Sequence, residues 1–147
     1  MATVELRFSP LPEHVRTARL VAAAVARRAG VDEAVLDEVR LAVGEACTRA
    51  VGLHQSSGTT EPVRVALIEE EKQFSIEVGD AAPRATTVAA HSEVPGARGP
   101  DDDLEAEGED EMGLAVISGL VDDVQVTADE HGGLLRMTWP TAPATLT

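Results

Sequence analysis

The sequence predicts an α/β two-layer sandwich in which helices cover one face of a mostly antiparallel sheet. Three observations lead there. Two N-terminal segments repeat apolar residues at helical spacing, five shorter segments alternate apolar with polar residues, and the order is strand, helix, helix, two strands, a long irregular stretch, helix, two strands. A helical stripe and an alternating strand each have a single apolar side, so both are satisfied when the helices gather on one face of one sheet. The 147 residues contain no internal repeat and supply one hydrophobic core.

The first strand is read in TVELRF, where Val4, Leu6 and Phe8 point one way and Ser9, Pro10 and Pro12 stop the run. From Glu13 to Ala29, Val15, Ala18, Ala22 and Val25 form one stripe, with Arg16, Arg19 and Arg27 outside it and Gly30 ending the helix. Asp32 is placed to cap a second helix, because its carboxylate accepts an otherwise unsatisfied N–H of the first turn. The stripe of that helix runs through Leu36, Val39, Val43, Ala46 and Ala50, and a polar turn is expected from Gln55 to Gly58. Val63, Val65 and Leu67, then Phe74, Ile76 and Val78, alternate on either side of a turn at Glu69 to Lys72 and predict an antiparallel hairpin.

Residues 81–112 keep neither period, and 101–111, DDDLEAEGEDE, hold eight carboxylates in eleven residues, so a loop is expected there. Gly113 to Val121 is apolar and helix-like. A strand at Val124 and Val126 follows, and its partner, Leu134 to Trp139, lies across His131-Gly132-Gly133. TAPATLT, 141–147, reads as a disordered tail, which places the domain at 1–140.

A formal charge of -14 disfavours direct binding to nucleic acid or anionic membrane, which clustered Lys and Arg would be needed to capture. No apolar run approaches the roughly 20 residues that span a bilayer. The start, MATVELRF, lacks the basic-then-apolar order of a signal peptide, so a cytoplasmic protein is expected. Cys47 is the only cysteine, which excludes an intrachain disulfide and a cysteine-rich zinc site and leaves it a small core residue. His14, His54, His91 and His131 show no metal-ligand spacing and read as surface or helix-end residues, so no metal site is predicted from them. His54 near a helix C-terminus would suit the helix dipole when protonated. Eleven arginines against the single Lys72, with abundant Ala and Val, match a bias common in GC-rich bacterial genomes.

DEVRLAVGEACTRAVGLH, residues 37–54, resembles the N-box helix of the serine-kinase anti-sigma factors, a GHKL ATPase family, through Glu45-Ala46-Cys47-Thr48. MGLAVISGLVDDVQV, 112–126, is similar to that family's second glycine box, its following helix and the step into the next strand. IEVGD, 76–80, sits where the family places a strand ending in the aspartate that recognises adenine. The resemblance spans residues 2 to 139. It implies a Bergerat-type (histidine kinase-like ATPase) fold, with ATP and magnesium as cofactors and the 81–112 loop in the place of the ATP lid. It also implies a homodimer, with Arg16, Arg19 and Arg27 on the contact surface, and partner switching between a sigma factor and a STAS-domain anti-anti-sigma protein.

Carried over residue by residue, the resemblance makes Glu45 the ancestral catalytic base and puts Asp80, Gly113 and Arg49 at cofactor-binding positions. The family's magnesium-holding asparagine stands four residues after the glutamate, and here that position is Arg49. Magnesium takes oxygen ligands, whereas guanidinium offers only donors and a fixed positive charge. Arg49 is left with two readings, a direct contact to phosphate or an ion pair with Glu45 one turn away. The first glycine box, Asp-x-Gly-x-Gly, reads Asp80-Ala81-Ala82-Pro83-Arg84, without either glycine and with a proline that removes an N–H. Gly113, with Gly108, remains from the second box, beside the acidic run. The expectation is a degenerate member that regulates by protein binding, with weak or no ATP binding and Glu45 idle. The alternative is an active ATP-dependent serine kinase that phosphorylates an anti-anti-sigma (STAS) protein.

Overall fold

The computed structural model describes residues 2–83, 87–89, 114–121 and 123–141. Strand β1 (Ala2–Phe8) is followed by a 3-10 turn, Pro12–His14, that runs into α1 (Val15–Ala29). Gly30 ends α1 with φ 104°, a left-handed conformation that glycine adopts without a Cβ penalty. The expected cap forms: the Asp32 carboxylate accepts the Ala34 N–H at 2.9 Å and opens a 3-10 turn, Glu33–Val35, leading into α2 (Leu36–Ser57). The turn expected at Gln55 to Gly58 is corrected. Gln55, Ser56 and Ser57 complete the last turn of α2, where the Ser57 hydroxyl donates to the Leu53 carbonyl one turn back, and only Gly58, at φ 75°, leaves the helix.

The sheet holds six strands in the order β1-β2-β3-β6-β5-β4, with every pairing antiparallel. β2 (Val63–Glu69) and β3 (Gln73–Asp80) form the expected hairpin, closed by the Glu70 N–H on the Gln73 carbonyl at 2.9 Å. β5 (Asp123–Asp129) and β6 (Gly132–Pro140) form the second, and residues 114–120 between the hairpins are helical, here α3. β4 (Thr87–Ala89) lies inside the stretch read as a loop. Its three residues are too few to show alternation, and they become a strand by pairing with Ala128, Thr127 and Val126 of β5.

Register puts one apolar face under the helices. Leu6, Val65, Val78, Leu135 and Val126 lie side by side across five strands, and Val4, Leu67, Ile76, Met137 and Val124 form the next row. The central members of both rows are buried together with the α2 stripe, Leu36, Val39, Val43, Ala46 and Ala50. Each large apolar side chain buried this way contributes about 1.5–3 kcal/mol. The other face of the sheet is polar: the Arg136 guanidinium donates to Glu77 at 2.7 Å and to the Ser75 hydroxyl at 3.2 Å. Phe74 and Trp139 pack ring against ring at 6.5 Å, and among the described residues the buried Trp139 Nε1 finds no hydrogen-bond partner.

The second hairpin turns more tightly than expected. Asp129 pairs with Gly132, so Glu130 and His131 form the turn and both glycines belong to β6. Gly132, at φ 139°, is needed for close approach: a Cβ there would lie 2.1 Å from the Asp80 carbonyl oxygen. Gly113, Gly108, Arg84, His91, the acidic run 101–111, the rest of the expected lid beyond 81–83 and 87–89, and the tail from 142 lie outside the described residues. Among the described residues no helix is long and apolar enough to cross a membrane.

Candidate functional site

The residues singled out in the sequence fall on two elements, α2 and the end of β3. Helix α2 carries Glu45 and Arg49 one turn apart on its half-exposed margin. The Glu45 carboxylate makes no ion pair among the described residues, so the Glu45–Arg49 pairing read as one option is not formed. Between them, Cys47 faces the core at 0 % exposure, and burial pushes its thiol up to about 12. It fills space and is no nucleophile, since the reactive form is the thiolate. Gly44, just before Glu45, lets α1 come close: a Cβ there would lie 2.8 Å from Arg19 Cδ.

Asp80 ends β3 nearly buried, at 8 % exposure. Its Oδ1 accepts the Ala82 N–H at 3.0 Å, an Asx-type turn that bends the chain just after the strand. The Ala81 N–H donates at 2.8 Å to His54 Nε2, and His54 Nδ1 lies 2.9 Å from the Glu61 carbonyl oxygen. A carbonyl only accepts and a backbone N–H only donates, so the imidazole carries its proton on Nδ1 and keeps a lone pair on Nε2. Pro83 has no N–H. The three residues after Asp80 thus present no spare backbone donor.

His54 is the site residue that the sequence reading missed. It sits in the last turn of α2, as a helix-end residue should, but it is 0 % exposed rather than facing water. A protonated ring would set an N–H against the Ala81 N–H, so the dipole role fails as well. Its position held the signal: four residues after Ala50, His54 continues the apolar stripe inward. It ties α2 to the loop before β2 and to the end of β3. About 13 Å of helix, nine residues at 1.5 Å each, separates its level from that of Glu45. His54 therefore joins α2 to the residue after Asp80, more than two turns along the helix from Glu45. Gly113 lies outside the described residues, and among them no group of three or more His, Cys, Asp or Glu side chains has an arrangement able to hold a metal ion.

A helix pair over an antiparallel sheet, with the N-box sequence on the second helix and an aspartate closing the strand beneath it, is the arrangement implied by the sequence resemblance. Residues 8–139 match the histidine kinase-like ATPase domain. The chain belongs to that family. Among curated proteins it is similar to the serine-protein kinase RsbW of Oceanobacillus iheyensis, 26% identical over 134 residues that cover 91% of this chain and 84% of that one. The serine-protein kinase RsbW of Bacillus licheniformis is 27% identical over 127 residues, 86% of this chain and 78% of the relative. Within the histidine kinase-like ATPase family, then, this chain keeps the helix-over-sheet scaffold and has Arg49, Ala82 and Arg84 at three positions where the sequence resemblance implies asparagine and two glycines.

The outer helix surface has its own character. Helix α1 contains Arg16, Arg19, Arg27 and Arg28 and no carboxylate, in a chain of net charge -14. Arg27 reaches Glu33 at 2.8 Å, an exposed pair that adds little stability. Leu20 on α1 and Leu41 on α2 stand 56% and 54% exposed.

Proposed function

We propose that this protein is an anti-sigma-factor-like regulator that acts by binding proteins in a partner-switching circuit controlling an alternative sigma factor, with weak or no ATP binding. The observation that carries the reading is the turn after Asp80. Its two N–H groups are engaged by His54 and by Asp80 itself, and its third residue is a proline. A nucleotide at Asp80 would therefore find no spare backbone N–H in these three residues to hold it. Arg49 supports the same reading, because a guanidinium cannot supply the oxygen that magnesium takes. The residues at these two positions do not fit magnesium and ATP, and no catalytic step is derived through them.

In this reading Glu45 keeps its ancestral position and is idle, the domain occupies 1–140, and the protein works in the cytoplasm as a homodimer. The partners are a sigma factor, a STAS-domain anti-anti-sigma factor, or both. The arginines of α1 beside the exposed Leu20 and Leu41 support a protein-binding surface, since positive charge around apolar side chains favours an acidic partner. The alternative, a working serine kinase acting on the STAS protein, draws on the half-exposed Glu45 and on relatives that are serine-protein kinases. Affinity capture from host extract, without and with magnesium ATP, separates the two. Equal recovery of a sigma factor or STAS protein in both conditions is expected; release of a partner only with magnesium ATP, with new phosphate on a partner serine, overturns the binding-only reading.

A further inference from the structure

His54 is the last buried side chain of α2, and three hydrogen bonds fix it. Its main-chain carbonyl accepts the Thr59 N–H at 3.1 Å, its Nδ1 meets the Glu61 carbonyl at 2.9 Å, and its Nε2 accepts the Ala81 N–H at 2.8 Å. The first two fold residues 58–62 back on the helix end, and the third reaches across to the chain just past β3. Strand β6 closes on that chain from another direction: a Cβ at Gly132 would lie 2.1 Å from the Asp80 carbonyl oxygen and 2.9 Å from Ala81 Cα. The turn after Asp80 is thus held between an imidazole and a strand, and Ala82 within it is only 2% exposed. Of the two holds, the imidazole is the one whose hydrogen bonding changes with pH.

This bonding requires a neutral ring. One nitrogen donates to Glu61 and the other accepts from Ala81, so a second proton turns Nε2 into a donor that faces a donor at a fully buried position. The bond to Ala81 is present while the ring is neutral and is lost as pH falls and the ring becomes charged. Asp80, next in the chain to Ala81, is the one carboxylate buried among the described residues, and it places a negative charge near the protonated ring. The other ionisable groups of the packed elements stand elsewhere. On α2 the Cys47 thiol stays protonated up to about 12, and Glu45 and Arg49 occupy the half-exposed margin. Glu61 and the arginines of α1 are exposed, and Arg64 and Glu77 project from the opposite face of the sheet.

We propose that His54 is an acid-sensitive latch on the turn after Asp80. With a neutral ring it holds Ala81 and Ala82 against the core; when the ring takes a second proton the Ala81 N–H is released and the turn opens, while the helices and the sheet stay packed. The sheet does not depend on the latch, since Ile76, Leu67 and Met137 are 0% exposed and packed in the apolar core. Access to Asp80 thereby becomes a function of pH, whichever partner the protein binds and whether or not nucleotide binds.

Amide hydrogen exchange of the full chain, followed residue by residue by NMR, tests it. In the wild type the protection factor of Ala81 is expected to fall about tenfold or more between about pH 7.5 and about pH 5.5, while that of Ile76 in the middle of β3 is unchanged. His54→Gln is expected to keep Ala81 equally protected at both pH values, because its side-chain oxygen accepts at either. His14 and His131 still titrate in that variant, so the difference belongs to His54. In the wild type alone, the imidazole 15N signals are expected to place the proton on Nδ1 near neutral pH, and the loss at Ala81 is expected to follow the arrival of the second ring proton; this arm stands even if glutamine disturbs the fold. Constant protection at Ala81, a fall shared by His54→Gln or by Ile76, or a ring proton on Nε2 near neutral pH overturns the latch. None of these results bears on partner switching or on nucleotide binding.

Discussion

Replacing His54 by alanine removes the acceptor of the Ala81 N–H and the donor to the Glu61 carbonyl, and opens a cavity in the core. Urea unfolding is expected to show a loss of about 3 kcal/mol, the cavity and two unsatisfied backbone groups acting together. His54→Gln, whose side-chain oxygen can still meet Ala81, is expected to recover part of that loss; equal losses for both variants would mean that the imidazole only fills space. Cys47 yields a prediction in pH. Its folded thiol stays protonated up to about 12, against 9.0 when unperturbed, so the unfolded state gives up its proton first as pH rises. The stability this contributes is present below the lower value and is lost as pH rises from about 9 to about 12, so Cys47→Ala is expected to lose less than wild type across that range. Neither residue's setting was fully visible in the sequence. Burial of Cys47 followed from its place within the α2 stripe, but the partners of His54 come from Glu61 and Ala81, seven and twenty-seven residues away, and no local pattern announces them.

Elements were legible wherever their period had room to repeat. α1 shows its spacing over 15 residues and α2 over 22, and the capping Asp32 does what its position announced. Asp32→Ala is expected to cost about 1 kcal/mol in chemical denaturation, the ordinary value of a lost N-terminal cap; no change would mean that the 3-10 turn at Glu33 forms without it. The two hairpins were legible from alternation. β4 was not, because three residues carry no period and its strand state depends on β5. The glycines after His131 read in the sequence as turn residues, whereas Gly132 serves the contact between β6 and the end of β3. Gly132→Ala is expected to destabilise by about 2 kcal/mol or more, since the added carbon meets backbone rather than a flexible side chain. A loss of a few tenths, measured in urea, would mean that the hairpin slides freely on Asp80.

For the molecule as a whole, the fold followed from element order and the family from two motifs, while the proposed loss of nucleotide binding rests on residues that break the family's pattern. Arg49 and the Asp80-Ala81-Ala82-Pro83 turn were visible as departures in the sequence, and the structure adds where the Ala81 and Ala82 donors go. These residues separate a scaffold that the family shares from a site that we read as closed to nucleotide. Arg49→Asn tests how that closure is divided: alone it is expected to restore no nucleotide binding, because the donors after Asp80 remain engaged. Magnesium-dependent binding by that variant would place the defect at position 49 alone. The most direct test is calorimetric titration of the wild-type protein with ATP in the presence of magnesium. No heat of binding up to millimolar nucleotide is the result predicted; saturable, magnesium-dependent binding at micromolar ATP would contradict the account.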